Sequence, residues 1–154
     1  MKLLRIFSIS VLALFLAACA APGQGWMGAP LKDTSWRLMT VQSNVNESGR
    51  EYVANESDIT MSLRANGDAQ FTVGCQKGST DWVATPGEID SKGEIRFYPL
   101  EIAASDAVCA PGLIEQRFLR DFDFMRGYVL IQNHLYISTM ANEVVYGWRK
   151  IEDK

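Results

Sequence analysis

The sequence predicts a mostly β fold with one helix, a small antiparallel β-barrel or half-barrel preceded by a segment that is removed on export. Three patterns carry this expectation. Apolar residues alternate on both sides of Asn66-Gly67, the dipeptide that best tolerates positive φ: Ile59, Met61 and Leu63 before it, Ala69, Phe71 and Val73 after it. Seven or so such short runs follow one another between clusters of Gly, Pro, Asn and Ser. One run, after Pro111, changes to helical spacing, and a lone amphipathic helix must bury its face on the sheet. An eight-stranded lipocalin-like barrel is the nearest alternative and requires a larger cavity.

At the N-terminus, Lys2 and Arg5 flank an uncharged apolar run, Ile6 to Leu16, which is short for a membrane span and of the length of a signal-peptide core. It ends in Leu16-Ala17-Ala18-Cys19, which resembles a bacterial lipobox. The resemblance implies cleavage before Cys19, a diacylglycerol on its thiol and acylation of the new amino group. Several acyl chains, each buried CH₂ contributing about 0.8 kcal/mol, anchor a chain stably without spanning the bilayer. The other reading is an ordinary secretory signal with a chance cysteine, and both export the domain. Residue 20 is Ala where Gram-negative lipoproteins retained at the inner membrane carry Asp, so the analogy implies the outer membrane, facing the periplasm. The chain thus divides into a signal peptide over 1–18, a lipidated cysteine and flexible linker over 19–33, and a β domain over 34–151. Pro22, Gly23, Gly25, Gly28 and Pro30 discourage regular structure in the linker.

Within the domain, Thr34 to Val41 reads as the first strand, with Trp36 and Leu38 on one face. Asn44 to Ser57 is polar and reads as a loop. Ile59 to Arg64 and Ala69 to Cys75 form a hairpin across a two-residue Asn66-Gly67 turn. Lys77-Gly78-Ser79 reads as a turn into a short polar segment around Trp82, and Pro86-Gly87 as another. Glu94 to Tyr98 alternates as a strand and stops at Pro99. Ile114, Phe118, Leu119, Phe122 and Met125 fall at helical spacing between Pro111 and Gly127. Tyr128 to Ile131 and Leu135 to Met140 flank Gln132-Asn133-His134 as a hairpin, and Glu143 to Lys150 closes the sheet, with Val144, Tyr146 and Trp148 on one face.

Of three cysteines, the lipobox claims Cys19, which leaves Cys75 and Cys109 as an even pair in a chain bound for an oxidising space. A disulfide between them closes a loop of about 35 residues, for which chain entropy gives roughly 3–4 kcal/mol. Free or metal-bound thiols are the alternative, but two cysteines and the single His134 fall short of four zinc ligands unless carboxylates complete the set. The net charge of −3 becomes −5 once Lys2 and Arg5 are removed. That sum argues against nucleic acid or anionic lipid as a partner of the folded surface.

Trp36 in a first strand, Asn66-Gly67 with Phe71, Gly74-Cys75, the stretch Ala103 to Cys109, the helix around Glu115 to Phe122 and the closing strands around Leu135 and Val145 to Trp148 are together similar to the META, or HslJ-like, domain family. The resemblance spans about residues 31–151. Gln76 stands where the family often has Asn, and Ser105-Asp106-Ala107-Val108-Cys109 where it often has Thr-x-Met-x-Cys. It implies an envelope domain linked to stress tolerance or surface integrity, with no catalytic residues to carry over.

Nothing in the sequence demands a cofactor or a metal, and the expectation for both is none. A serine or cysteine hydrolase needs a base, and the one histidine, His134, falls in an expected turn; no Gly-x-Ser-x-Gly elbow is present. Glu115, Asp121 and Asp123 diverge on a helix and read as a solvated face. Aromatic residues at strand positions read as core. Trp82 beside Asp81 and Lys77 is the exception: in a polar segment an exposed tryptophan would mark a contact site. The expected function is therefore non-catalytic: a lipid-anchored interaction module with an unidentified protein or envelope-component partner. The alternatives are an inhibitor of a periplasmic or host hydrolase using loops 44–57 or 85–93, and a carrier of a small apolar ligand, which needs an interior pocket.

Overall fold

A computed structural model describes residues 29–44, 50–52, 59–87, 91–103 and 110–152. The expected signal peptide, Cys19, Cys109, most of the candidate loop 44–57 and residues 88–90 of the candidate loop 85–93 lie outside these residues, while Thr85–Pro86 and Lys92–Gly93 of the latter belong to β5 and β6. Ten antiparallel strands and one helix follow one another: β1 Thr34–Ser43, β2 Arg50–Tyr52, β3 Ile59–Leu63, β4 Asp68–Val73, β5 Gln76–Pro86, β6 Lys92–Phe97, β7 Glu101–Ile102, α1 Leu113–Asp121, β8 Met125–Ile131, β9 His134–Thr139 and β10 Val144–Ile151. Eight of them close a ring in the order β1, β3, β4, β5, β6, β8, β9, β10, with β10 pairing back onto β1 from Ser35 opposite Ile151 to Ser43 opposite Val144. The fold is a closed barrel rather than a half-barrel. Closure leaves no long strand edge to template aggregation.

The hairpin built on alternating residues sets the register. Ile59 lies opposite Val73, Met61 opposite Phe71 and Leu63 opposite Ala69, and all six are buried. Its turn is one residue longer than the expected two-residue form. Arg64 N–H bonds Asp68 O at 2.8 Å, Gly67 N–H bonds Arg64 O at 3.1 Å, and of the turn residues only Gly67 has positive φ. This is a type I turn closed by one left-handed residue. Asn66 acts through its side chain instead, its Oδ1 accepting Asp68 N–H at 3.1 Å.

The barrel is filled. Phe71, Phe97, Phe118 and Phe122 form a cluster with ring centroids 5.0–6.0 Å apart, and Phe118 continues it to Tyr146 and Trp148 at 5.6 and 5.8 Å. Side chains of this size fill the space that eight strands enclose. The helix plugs the end of the barrel at which β4 finishes and β10 begins, burying Phe118 completely. Leu31 plugs the other end and is also completely buried, so the domain begins in the stretch read as linker. There Thr34 Oγ1 donates to Leu31 O and accepts Trp36 Nε1–H at 2.7 Å, which satisfies the buried indole.

Several expected boundaries move. The helix stops at Asp121, a 3-10 turn spans Phe122–Phe124, and Met125 already belongs to β8, because the Met125–Gly127 segment pairs with β9 across a bulge. The turn between β8 and β9 is Gln132-Asn133 alone, so His134 is the first residue of β9. Lys77-Gly78-Ser79 is not a turn but the first half of β5, paired with β4. β2 and β7 were not anticipated: each extends one edge of a barrel strand that its main partner leaves uncovered.

Candidate functional site

At eleven residues β5 is the longest strand, and it outruns its neighbour. One edge pairs with β4 from Gln76 to Asp81; on the other, β6 covers only Trp82 to Pro86. Residues 98–103 cover the rest: Tyr98 N–H bonds Asp81 O at 3.0 Å, Thr80 Oγ1 donates to Tyr98 O at 2.6 Å, Ala103 N–H bonds Lys77 O at 2.8 Å, and β7 pairs with Gly78 and Ser79. Gly78 makes this close pairing possible, since a Cβ there would meet Glu101 O and Leu100 Cδ1 at 3.0 Å.

The result is a trough on the outside of the barrel. Its floor is the outward row of β4 and β5, including Gln70, Thr72 and Ser79; its rim is Tyr98, Glu101 and Ile102. Two hollows of about 560 and 530 Å³ share Gln70, Ser79 and Glu101, and a third of about 360 Å³ continues past Asp81 and Tyr98 to the Asn66-Gly67 turn. All open to solvent. The floor is rich in hydroxyl and amide groups, while Asp68 and Asp81 sit directly opposite each other across β4 and β5. Like charges in that position cost stability. The floor thus offers hydrogen-bonding groups beside an apolar rim at Tyr98, 48% exposed, and Ile102.

The sequence-predicted contact residues separate. Lys77 and Asp81 point outward and line the trough, Lys77 opposite Thr72 and Asp81 opposite Asp68. Trp82 is on the inward phase of the strand, 4% exposed, with its Nε1–H bonded to Arg64 O at 3.2 Å. It is a core residue, and the expected Trp82-centred patch does not exist in that form. Side chains one apart on a strand face opposite sides, so the polarity of Asp81 says nothing about Trp82. Cys75 is disulfide-bonded, with its partner outside the described residues. His134 is exposed and stacks on Tyr136 with centroids 6.4 Å apart. Among the described residues no group of three or more His, Cys, Asp or Glu is placed to hold a metal ion.

A second polar constellation fastens the helix plug. Asp121 accepts Tyr146 O–H at 2.8 Å and Arg120 Nε–H at 2.9 Å, and Arg117 Nε lies 3.9 Å away. Burial, followed by the hydrogen bond to Asp121, pushes the Tyr146 hydroxyl well above the ordinary tyrosine range. Asp121 is therefore not on the solvated face expected for it: its side chain is 13% exposed.

No protein-family model matches the chain, and no curated protein matches its sequence at a significant level. Two solved structures share the fold. A protein from Burkholderia xenovorans, determined by NMR, superposes with a TM-score of 0.58 at 18% identity over 82% of this chain and 87% of its own. A DUF4847 family protein from Bacteroides vulgatus superposes with a TM-score of 0.53 at 9% identity over 80% of this chain and 96% of its own. At these identities the likeness shows the fold alone.

The trough residues beyond Lys77 and Asp81 were missed in the sequence because two-residue β7 has no periodicity to detect. The one signal was Pro99, which interrupts the ladder two residues after β6 ends, before the chain resumes pairing along the same edge of β5.

Proposed function

We propose that this chain is a non-catalytic, lipid-anchored domain of the cell envelope, of the META (HslJ-like) type, that docks a polar polypeptide or other envelope component in the trough beside β5. One observation carries the reading: the barrel interior is packed with aromatic side chains, and the trough, the largest hollow among those described, lies on the outside. A filled core disfavours the apolar-ligand carrier, whose ligand would have to displace Phe71, Phe97, Phe118 and Phe122. The Cys19 anchor and the outer-membrane location come from the lipobox resemblance, and support for an interaction role comes from the trough.

The test replaces Gln70 and Ser79 by Arg, which fills the trough from exposed positions and spares the core. Crosslinked capture from envelopes is compared for the native lipoprotein, the Arg variant, and a soluble form exported by a conventional signal peptide. Loss of one defined partner in the Arg variant, with unchanged thermal unfolding, supports the trough; undiminished capture rules it out. Loss in the soluble form alone makes anchoring part of the mechanism.

A further inference from the structure

Charge on this barrel is unevenly divided. The four adjacent strands β8, β9, β10 and β1 carry no Asp or Glu, although the chain has 18 acidic residues. The other half of the wall carries Asp68, Asp81, Glu94 and Glu101. On these four strands one outward row runs in register from Ile131 through His134 and Arg149 to Arg37. All four are exposed; Lys150, the next residue after Arg149, falls on the other phase opposite Trp36 and is exposed at the rim of the barrel where β10 ends. Arg37 and Arg149 lie directly opposite each other, an arrangement that costs stability unless an anion lies between or above them. No described carboxylate forms an ion pair with either.

We infer that this wall is a docking surface for the anionic headgroups of the bilayer to which the chain is tethered. The point of tethering supports this occupant. The described chain starts at Ala29–Leu31, at the end of the barrel that also holds Ile151 and the Gln132-Asn133 turn, where Lys150 N–H bonds Asn133 O at 2.9 Å. A flexible linker of the length that separates Cys19 from Ala29 would span about 17 Å, which would keep the basic row within reach of the headgroups. Charge complementarity supports it too: guanidinium groups bind phosphate through two hydrogen bonds at once. Ile131, 55% exposed, and Val129, 42% exposed, stand on the same face and supply the apolar flank that interfacial binding uses. Tethering makes the contact intramolecular, so a weak interaction suffices to orient the domain. The overall charge of the mature chain hides this wall because none of its acidic residues falls within these four strands, although Glu51 lies on β2 and Asp33, Glu143 and Glu152 flank β1 and β10. The choice of a bilayer rests on the lipid-anchor reading above; the basic wall does not.

The barrel closes and plugs both ends within residues 29–152, so a chain lacking residues 1–19 keeps the whole described core. That soluble chain is titrated with phosphatidylcholine vesicles with and without phosphatidylglycerol, beside the triple variant Arg37→Gln, Arg149→Gln, Lys150→Gln and the control Arg96→Gln on the opposite half. Each basic residue near an anionic surface counts for about fivefold, so the triple variant is expected to bind phosphatidylglycerol vesicles roughly a hundredfold more weakly, with unchanged thermal unfolding. The control is expected to bind like the parent, and added salt to weaken both. Equal binding to the two vesicle types, a triple variant that binds undiminished, or displacement by millimolar inorganic phosphate would overturn the proposal. Should the triple variant not fold, Arg149→Gln alone carries the test with a fivefold expectation. Anchoring is read separately from the mass of mature Cys19, so an unlipidated protein that still binds anionic vesicles refutes the anchor and leaves the wall standing.

Discussion

Truncating Trp82 separates a core residue from a contact residue more sharply than any other change in this chain. The indole is 4% exposed, its Nε1–H is bonded to Arg64 O at 3.2 Å, and its backbone N–H ties β5 to Gly67 O at 2.8 Å. Trp82→Ala removes the buried ring and leaves a cavity, which costs about 3–5 kcal/mol. For a domain of this size that lowers Tm by about 10–20 °C. Trp82→Phe keeps most of the buried surface and loses chiefly the hydrogen bond, so its expected cost is nearer 1 kcal/mol. Urea unfolding of parent and both variants, fitted with a shared m-value, measures the two steps. A Trp82→Ala protein within about 1 kcal/mol of the parent would refute the placement of this ring in the core, since no buried tryptophan is removed so cheaply.

Phe118 is the only residue of α1 proper that is fully buried, and Phe118→Ala should cost about 3–5 kcal/mol and raise binding of an apolar dye as the barrel end opens; stability loss without dye binding would argue against the plug. A Cβ at Gly93 would collide with the backbone of Thr85, Pro86 and Gly87, whereas at Gly147 it meets the Thr40 hydroxyl and the Tyr136 ring. Backbone cannot yield as side chains can, so Gly93→Ala should destabilise more than Gly147→Ala, and Thr40→Ala should rescue only the latter, as read by thermal unfolding. Tyr146 keeps its proton in the folded state to higher pH than in the unfolded chain, where it ionises near about 10. Its contribution is thus complete below pH 10 and is lost as pH rises further, by up to about 1.4 kcal/mol per pH unit, and Tyr146→Phe should show a correspondingly shallower fall in alkaline stability.

What could be read in the sequence was what side-chain period controls. The register of Ile59, Met61 and Leu63 against Val73, Phe71 and Ala69 follows from two alternating runs about one turn, because a slip by one residue would turn every apolar side chain outward. The same logic, applied to β5 by composition instead of by phase, failed. Gly78 and Ser79 looked like punctuation, yet the glycine is there to let residues 100–102 pack closely beside the strand. Asp81 and Lys77 made Trp82 look exposed, although those two share the outward face and Trp82 lies on the inward one. The trough depends on a two-residue strand and on closure of the ring, neither of which leaves a local pattern. The fate of Asp121 depends on Tyr146, twenty-five residues away, and no helical periodicity reports a partner on another element.

The ring also fixes how the two surfaces relate. In an eight-strand cycle β10 stands four places from β5 in either direction, so the wall bearing Arg149 and the trough bearing Ser79 face opposite ways. A domain lying on a bilayer through Arg37, Arg149 and Lys150 would turn its trough away from the membrane, toward the aqueous side, where a polar partner could reach it. The surfaces share no residue, so substitutions in them should combine additively in solution. Coupling should arise only at a membrane, where orientation controls access. Removing the three cations should therefore leave trough capture by the soluble chain unchanged and weaken it for the anchored protein. Equal weakening in both settings would mean that the cations touch the partner itself, and that the partner, rather than the bilayer, spans both sides of the barrel.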